Sequence, residues 1–338
     1  MSRRVVADGV PSAMPSDRPK IVVLDAHTAN PGDLSWDGLR QLGDVETHPR
    51  STDAEAIDRA AGAAALLTNK VPIGKPLLER ASGLRYVGVL ATGYNVVDLD
   101  ACRAAGVTVT NVPGYSTAST AQHALALLLE LTNRVGRASV ETTDRWPASP
   151  DFCFYDQPLI ELDGLTCGVV GFGAIGQAFA RRASAFGMTI LTHTANPDRH
   201  RDAAAAVGAT FVGLDELLRR SDAISLHCRL TPATENLIGP ATLAKVKRGA
   251  FVINTGRGQL LDETAVAAAL ADGTLGGVAV DVLRREPPPA DDPLLSAHNC
   301  VVTPHVAWAT AASRQRLIDA AAGNLAAFLD GEPRNVVS

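Results

Sequence analysis

The sequence predicts an α/β protein built from two units, each with a parallel sheet. From Lys20 onward, short apolar runs alternate with helical patterns, and such alternation is typical of parallel βαβ units. The alternation stops at residues 139–163 and then restarts, which indicates two units rather than one. The length of 338 residues also exceeds that of one typical domain.

The first unit follows residues 1–19, which we predict to be a flexible N-terminal extension. Its strands are expected in the apolar runs KIVVLD, DVETH, AAALLT, LRYVGVL and VTVTNV. A long helix is predicted over residues 117–135, with Ser116 or Thr117 available as its N-cap. The last helix, predicted over residues 310–329, is long enough to pack back on the first unit.

The second unit is expected to begin after an irregular segment. Residues 139–163 contain three prolines, several aromatic side chains and no clean period, so we expect an extended excursion rather than a helix. The strands that follow are expected in LTCGVVGFG, MTILTH, AISLHC, AFVINTG, GGVAVDV and NCVVTP, with helices between them. The loops after these strands should therefore meet at one edge of a parallel sheet, where open α/β sheets bind ligands.

Composition and charge argue against several classes of protein. A net charge of −5 without a basic cluster argues against nucleic acid as a partner. Five scattered cysteines without a CxxC pair indicate neither a disulfide framework nor a zinc site, so we expect no metal and a reducing, cytoplasmic compartment. No run of about 18 apolar residues and no signal-peptide core are present, so no membrane association is predicted.

A glycine-rich turn is the first candidate binding site. Gly171, Gly173 and Gly176 have the spacing G-x-G-x-x-G, directly after an apolar run and directly before a helical pattern. In such a strand–turn–helix, the first glycine permits the turn, the second lets the backbone approach a pyrophosphate, and the third allows helix and strand to pack closely. The free N–H groups at the helix N-terminus then bind the phosphates. We therefore predict a Rossmann unit that binds NAD or NADP.

The end of the next strand bears on the choice between the two cofactors. An acidic residue about 20 residues after the glycine turn commonly binds the ribose 2′-hydroxyl. Here the strand MTILTH is followed by Thr194 and by two further residues without a carboxylate. Without a carboxylate here, no negative charge would repel the 2′-phosphate of NADP. Arg199 and Arg201 follow a few residues later, and the sequence leaves open whether they reach that phosphate. Both cofactors are therefore retained, with NAD favoured.

Three strands of the second unit end in chemically useful residues, namely Arg257, Glu286 and His305. Each alone would pass for an ordinary surface residue, but all three follow strands of the same sheet. An arginine offers a planar, permanently charged fork for a carboxylate, and a histidine can give and take a proton near neutrality. A glutamate bonded to that imidazole favours its protonated form. Together these residues predict hydride reduction of a 2-keto acid, with the proton delivered by His305.

From Lys20 to its C-terminus the chain resembles the D-isomer-specific 2-hydroxyacid dehydrogenases. Four segments in the family's order carry the resemblance: GVVGFGAIGQ, NTGRGQLLDE, DVLRREPPPADDPLL and VVTPHVAW. The resemblance implies catalytic roles for Arg257, Glu286 and His305, of which the arginine and the histidine would also contact substrate. It implies two Rossmann-like domains with a cleft between them. A flavodoxin-like outer domain would comprise residues 20–111 and 305–338, and a dinucleotide-binding inner domain would comprise residues 112–304.

Further segments narrow the resemblance. LATGYNVVDLDA is similar to the family's substrate loop, which implies substrate contacts from Ala91, Thr92 and Gly93, joined by Lys70. The segments TNK, TNVPGYSTASTAQHALALLLEL, RWPASPDFCFYDQPLIEL and HVAWAT look most like the glycerate dehydrogenase or hydroxypyruvate reductase branch. That branch implies reduction of hydroxypyruvate and glyoxylate to D-glycerate and glycolate. Cofactor contacts beyond the glycines are expected from Ala174, Ile175, Thr194, Cys228, Thr255 and Asp281.

The irregular segment has a counterpart in the family. Residues 139–163 correspond to an arm that crosses to a second subunit in similar enzymes, which implies a homodimer. The chain also departs from the family's pattern at two positions. Thr194 stands where many relatives have aspartate, and Arg229 stands where relatives usually have proline.

Alternatives to this function remain. The substrate could be a bulkier or a phosphorylated 2-keto acid, although Lys70 is the only obvious extra cation near the substrate loop. The protein could also be a non-catalytic regulator with the same fold that senses dinucleotides. Such a regulator would tolerate loss of the catalytic residues, but Arg257, Glu286 and His305 are all present. The other histidines, His123 among them, are expected to be core or surface residues because none has the spacing of a metal site.

Overall fold

The structure, a computed structural model, describes residues 18–338. Residues 1–17, which hold most of the predicted extension, lie outside this range. The described chain divides into two compact units. One unit, called here the terminal unit, contains the chain up to Ser116 together with Ala309–Ser338, and the other, the central unit, contains Thr117–Trp308.

The terminal unit is built around a five-stranded parallel sheet in the order β2-β1-β3-β4-β5. Each predicted apolar run of this unit contains one of these strands: β1 Lys20–Val23, β2 Asp44–Thr47, β3 Ala65–Thr68, β4 Tyr86–Val89 and β5 Thr108–Thr110. Of the three inner strands, β3 and β4 are buried along their whole length, as is typical of apolar strands in a covered parallel sheet.

The central unit contains a seven-stranded parallel sheet in the order β12-β11-β10-β9-β6-β7-β8. Its strands are β6 Thr166–Val170, β7 Thr189–His193, β8 Thr210–Phe211, β9 Ala223–Leu226, β10 Ala250–Asn254, β11 Leu275–Val280 and β12 Cys300–Val302. The chain leaves β6 toward β7 on one side and returns to β9 on its other side. This reversal is the switch point at which doubly wound sheets bind ligands.

Helices connect the strands in both units. They are α1 Asp37–Arg40, α2 Asp53–Arg59, α3 Lys75–Arg80, α4 Leu99–Ala104, α5 Thr117–Asn133, α6 Val135–Arg145, α7 Ala174–Ala185, α8 Arg201–Ala205, α9 Leu214–Arg220, α10 Pro240–Leu243, α11 Glu263–Ala271 and α12 Ala311–Leu329. Helix α12 packs against α1 and β4 of the terminal unit. No helix within residues 18–338 is long and apolar enough to cross a bilayer.

The prediction of an extended excursion over residues 139–163 was wrong in its first part, because α6 continues to Arg145. The carboxylate of Glu130 accepts the backbone N–H groups of Gly136 and Arg137 in the first turn of this helix. Arg137 and Arg145 then pair with Glu141 at helical i,i+4 spacing. These local interactions stabilise a helix that has no buried residue, and regular structure is absent only from residue 146 to the start of β6.

The two units divide at points slightly different from those expected. The first division falls after Ser116, five residues later than predicted, and the second falls after Trp308, four residues later than predicted. The first coincides with the start of α5. The second leaves His305 in the central unit, because the backbone N–H groups of the next two residues donate to the carboxylate of Asp281.

The core of the central unit lies on both faces of its sheet. Phe251 and Ile253 pack into one buried cluster with residues of α5 and α7. Val252, which lies between them in β10, packs into a second cluster with residues of α9 and α11. This alternation follows from the two-residue repeat of a strand.

Candidate active site

The predicted cofactor residues of the central unit lie in loops at the carboxyl ends of its strands. Gly171 follows β6, Thr194 follows β7, Cys228 follows β9, Thr255 follows β10 and Asp281 follows β11. Because all neighbouring strands of this sheet are parallel, these loops meet at one edge. The sheet thus brings the predicted cofactor residues to one side of the unit.

The three glycines of the turn have different local geometry. Gly171 has φ +93°, and a Cβ there would lie 2.4 Å from the backbone nitrogen of Cys228. At Gly176, in the first turn of α7, a Cβ would lie 2.1 Å from the carbonyl oxygen of Gly171. Both positions therefore exclude a side chain because of the protein's own packing.

Gly173 differs from the other two, because a Cβ there would meet no atom of residues 18–338 within 4 Å, its chain neighbours aside. Gly173 is also the N-cap of α7, and it provides no side-chain cap for the first N–H groups of the helix. The space beside Gly173 and these N–H groups, including those of the first helical residues Ala174 and Ile175, suits an approaching phosphate.

A second observation fits a bound dinucleotide at this edge. The Oγ1 atom of Thr255 is buried and has no hydrogen-bond partner among residues 18–338. Buried hydroxyl groups in folded proteins nearly always have a partner, so this atom suits a polar group supplied by a ligand. The residues that would hold the cofactor are thus the glycine turn, the start of α7 and Thr255.

Arg257 lies in a loop whose shape is fixed by side-chain bonds. Asn254 donates from Nδ2 to the carbonyl oxygen of Arg257 and accepts at Oδ1 from the N–H of Gly256. A Cβ at Gly258 would lie 2.0 Å from the carbonyl carbon of Leu283, so this loop packs directly on the one after β11. Arg257 itself is exposed, and Nη1 donates to the carbonyl oxygen of Gly256.

The packing at Gly258 places Arg257 beside the loop that carries Glu286. The Glu286 carboxylate is held at both oxygens, because Oε1 accepts from the N–H of Leu283 at 3.0 Å and Oε2 lies 2.6 Å from Nδ1 of His305. The side chains of His305 and Glu286 are 32% and 35% exposed. With Nδ1 engaged by the carboxylate, Nε2 of His305 is the ring nitrogen left for a substrate.

Asp281 is the buried anchor of the segment that carries His305. Its carboxylate accepts from Thr303 Oγ1 at 2.6 Å and from the N–H groups of Val306 and Ala307 at 2.9 and 2.8 Å. Burial alone would raise the pKa of Asp281, but bonds from His123, Thr303 and these N–H groups outweigh it and lower the pKa below its usual value. The cofactor contact of Asp281 stays a prediction.

The predicted substrate residues of the terminal unit lie after β3 and β4. The Asp25 carboxylate accepts the N–H groups of Asn69 and Lys70 at 2.7 and 2.6 Å, so it fixes the loop that carries Lys70. Asn69 donates from Nδ2 to the carbonyl oxygen of Leu90, directly before the loop of Ala91, and so joins the two loops.

The second of these loops is fixed by further bonds. Thr92 Oγ1 donates to the carbonyl oxygen of Val112, and Nδ2 of Asn111 donates to the carbonyl oxygen of Thr92. Gly93 follows directly. The terminal unit therefore brings together Lys70, Ala91, Thr92 and Gly93, whereas Arg257, Glu286 and His305 all belong to the central unit.

His123 was not expected to take part in a functional site. Its Nε2 lies 3.0 Å from Oγ1 of Thr303, two residues before His305. The two residues are 180 positions apart in the sequence, so no motif spacing could have shown their contact.

The sheet is doubly wound and has a glycine turn at its switch point. Arg257, Glu286 and His305 follow three of its neighbouring strands. This combination defines a dinucleotide-dependent oxidoreductase. Residues 125–307 match the family model described as D-isomer specific 2-hydroxyacid dehydrogenase, NAD binding domain. The chain belongs to the D-isomer specific 2-hydroxyacid dehydrogenase family, and it is an NAD(P)-dependent oxidoreductase acting on small 2-keto and 2-hydroxy acids.

Curated relatives and solved structures agree with this assignment. The chain is 45% identical to a hydroxypyruvate reductase of Blautia hydrogenotrophica, over 94% of this chain and 99% of that protein. It is 40% identical to a glycerate dehydrogenase of Methylorubrum extorquens, over 85% of this chain and 89% of that protein. The apo-structure of D-lactate dehydrogenase from Escherichia coli is similar with a TM-score of 0.82 and 30% identity, covering 94% of this chain and 100% of that one.

Proposed function

We propose that this protein reduces hydroxypyruvate, and with it glyoxylate, to D-glycerate and glycolate. The observation that carries the proposal is the 2.6 Å pair of His305 and Glu286, in a loop system that packs beside Arg257. The names of the relatives that are 45% and 40% identical, a hydroxypyruvate reductase and a glycerate dehydrogenase, support this substrate class.

Arg257, His305 and Glu286 each have a separate role in the proposed reaction. When bound, NAD(P)H would supply the hydride that the keto carbon accepts. Arg257 binds the carboxylate of the keto acid and its carbonyl oxygen, since its guanidinium offers several parallel N–H donors. His305 donates the proton on Nε2 to the developing alkoxide, and Glu286 stabilises the imidazolium from which that proton comes. In the reverse direction His305 accepts the hydroxyl proton.

The test of this proposal is the initial rate of NADH and NADPH oxidation by the purified protein. Hydroxypyruvate, glyoxylate and pyruvate are supplied in parallel. We expect hydroxypyruvate to give the highest kcat/KM and glyoxylate a lower but measurable value. Pyruvate as the best substrate would contradict the substrate assignment, and no turnover despite dinucleotide binding would favour the non-catalytic regulator.

We further propose that both dinucleotides are accepted, with NADH favoured. Residues after β7 form an open concavity of about 500 Å³, lined by Ala195, Asn196, Pro197, Asp198 and Arg199. Arg201 is bonded to Asp198, which leaves Arg199 as the available cation for a 2′-phosphate. Dissociation constants from nucleotide fluorescence test this, because Arg199→Ala should weaken NADPH binding and leave NADH binding unchanged.

We also propose that the protein is a homodimer whose contact includes α6 and the irregular segment after it. Six apolar side chains of this region are more than half exposed: Val135 64%, Val140 78%, Trp146 53%, Phe152 89%, Tyr155 71% and Leu159 56%. So many exposed apolar side chains within one segment support a protein contact there. A second copy of this chain is the occupant that the family resemblance implies.

A further inference from the structure

A chain of side-chain hydrogen bonds runs from α5 to the loop that carries His305. Nε2 of His123 lies 3.0 Å from Oγ1 of Thr303, and that Oγ1 lies 2.6 Å from Oδ1 of Asp281. A carboxylate can only accept, so the Thr303 hydroxyl donates to Asp281. Its lone pair is then free to accept the Nε2–H of His123, which fixes the direction of the chain.

The far end of this chain is the backbone next to His305. The two oxygens of Asp281 accept the N–H groups of Val306 and Ala307, the two residues that follow His305. Helix α5 also contacts this loop directly, because Ser119 donates from Oγ to the carbonyl oxygen of Ala307 at 2.5 Å. The loop is thus held from one side by β11 and from the other by α5.

His305 itself has an unusual backbone conformation. Its φ is +53°, in the left-handed region that residues other than glycine rarely adopt. Such a conformation persists where surrounding contacts determine it. The N–H of His305 donates to the carbonyl oxygen of Thr303, and the bonds of Asp281 fix the residues on the other side. This backbone geometry brings Nδ1 of His305 to Glu286.

We propose that His123 and Thr303 are positioning residues, which hold the backbone of His305 in place through Asp281. Asp281 is 1% exposed, so the donors around its carboxylate come from the protein rather than from bulk water. Removing one of these donors changes how the carboxylate holds the two N–H groups. The proposal rests on the proposed function, because it matters only if His305 transfers the proton. Small displacements of a reacting group lower the rate steeply.

The direct test replaces Thr303 by valine, which keeps the shape of the side chain and removes the hydroxyl. We expect Thr303→Val to lower kcat for hydroxypyruvate roughly tenfold or more, the scale expected for a misplaced catalytic group. The dissociation constant of NADH, measured by fluorescence, should change less than twofold. Thr303→Ser keeps the hydroxyl and should restore most of the lost rate.

His123 provides a second, independent pair of variants. His123→Leu removes the donor and should lower kcat in the same way. His123→Gln offers an amide N–H in its place and should recover much of the rate. Nε2 of His123 also lies 3.4 Å from Oδ1 of Asp281. The double variant with Thr303→Val should therefore lose less than the product of the two single losses, because both substitutions act on the same carboxylate.

A matched control is available at the other end of α5. Thr132 is 1% exposed, and its hydroxyl donates to the carbonyl oxygen of Leu128. Thr132→Val therefore also deletes a buried hydroxyl, and it should leave kcat unchanged. A kcat of Thr303→Val within twofold of the unchanged protein, or a failure of serine to restore the rate, would overturn the proposal.

Comparing His305→Gln with Thr303→Val shows which of the two proposals fails, the function of the site or the positioning role. Full activity of His305→Gln would overturn the function of the site itself. An inactive His305→Gln together with a fully active Thr303→Val would overturn only the positioning role. If Thr303→Val fails to fold, the comparison of His123→Leu with His123→Gln decides the question.

Discussion

Arg257 and His305 are expected to be essential for the reaction but not for the fold, because both are at least partly exposed. We expect His305→Gln to lower kcat about 10²–10⁴-fold, the usual contribution of a general acid. Arg257→Ala should lower kcat and also raise KM for the keto acid, since the arginine binds the substrate carboxylate. Steady-state kinetics with hydroxypyruvate measure both effects.

The control for these variants is Arg219→Ala, which removes an exposed guanidinium from α9. Its kinetic constants should equal those of the unchanged protein, and all three variants should unfold at nearly the same temperature. Near-full activity of either active-site variant would rule out the proton transfer and carboxylate binding described above.

His227 makes the stability of the protein depend on pH. Desolvation lowers the pKa of His227 to about 3, and its ring packs 5.1 Å from that of Phe179. In the unfolded chain a histidine titrates near 6.5, so the unfolded state binds the proton first as the pH falls. The stabilising contribution is therefore complete above about pH 6.5 and is lost progressively between that pH and about 3.

Urea unfolding at pH 7.5 and at pH 4.5 measures this effect. The free energy of unfolding should fall with decreasing pH by up to about 1.4 kcal/mol per pH unit from this residue. In His227→Gln, whose side chain does not titrate, the difference between the two pH values should be smaller. An equal difference in both proteins would show that other groups cause the acid sensitivity.

At the level of elements, the glycine turn between β6 and α7 provides a matched pair of substitutions. Gly176→Ala should destabilise the fold, because its Cβ would lie 2.1 Å from the Gly171 carbonyl oxygen. Gly173→Ala should leave the fold intact, because φ is −73° and no neighbouring atom in the described part of the chain lies within 4 Å of the new Cβ. Gly173→Ala should nevertheless weaken NADH binding if a phosphate occupies that space.

Thermal unfolding and NADH titration of the two variants distinguish these effects. A lower unfolding temperature is expected only for Gly176→Ala. Unchanged NADH affinity in a well-folded Gly173→Ala would mean that the cofactor does not approach the turn at this position.

The elements that the sequence could predict are those with a strong local signal. The buried strands are continuous apolar runs, and the glycine turn has a fixed spacing, so the sequence predicts both. Strand β8 was missed because it contains only Thr210 and Phe211. Helix α6 was missed because its side chains are not buried, so the apolar period on which the prediction depended is absent.

The candidate site was predictable for a different reason. Arg257, Glu286 and His305 each follow a strand, and parallel strands bring their carboxyl ends to one edge, so their proximity follows from local patterns. The bond of His123 to Thr303 depends on how α5 packs on the sheet. Packing of this kind joins distant segments and leaves no periodic signal in the sequence.

For the whole molecule, the expected dimer contact can be tested by weakening it. Trp146→Ser combined with Phe152→Ser removes two side chains that are 53% and 89% exposed in the single chain. Removing apolar area from a subunit contact weakens association. The variant should therefore sediment as a monomer at concentrations where the unchanged protein is a dimer. Sedimentation velocity over a range of concentrations measures this.

The control for the dimer is Phe186→Ser, which removes another exposed aromatic side chain, 45% exposed, just beyond α7. It should not change the sedimentation coefficient. A monomeric unchanged protein would contradict the proposed homodimer outright.

The terminal unit is made from two segments that lie on either side of the central unit in the chain, and this has a consequence for its synthesis. Its five strands are complete by Thr110, yet the helix α12 that packs on β4 is synthesised only after the whole central unit. Residues after α12 also add a bridge between Val336 and Thr110. The central unit is fully synthesised by Trp308, whereas the core of the terminal unit can close only after that point.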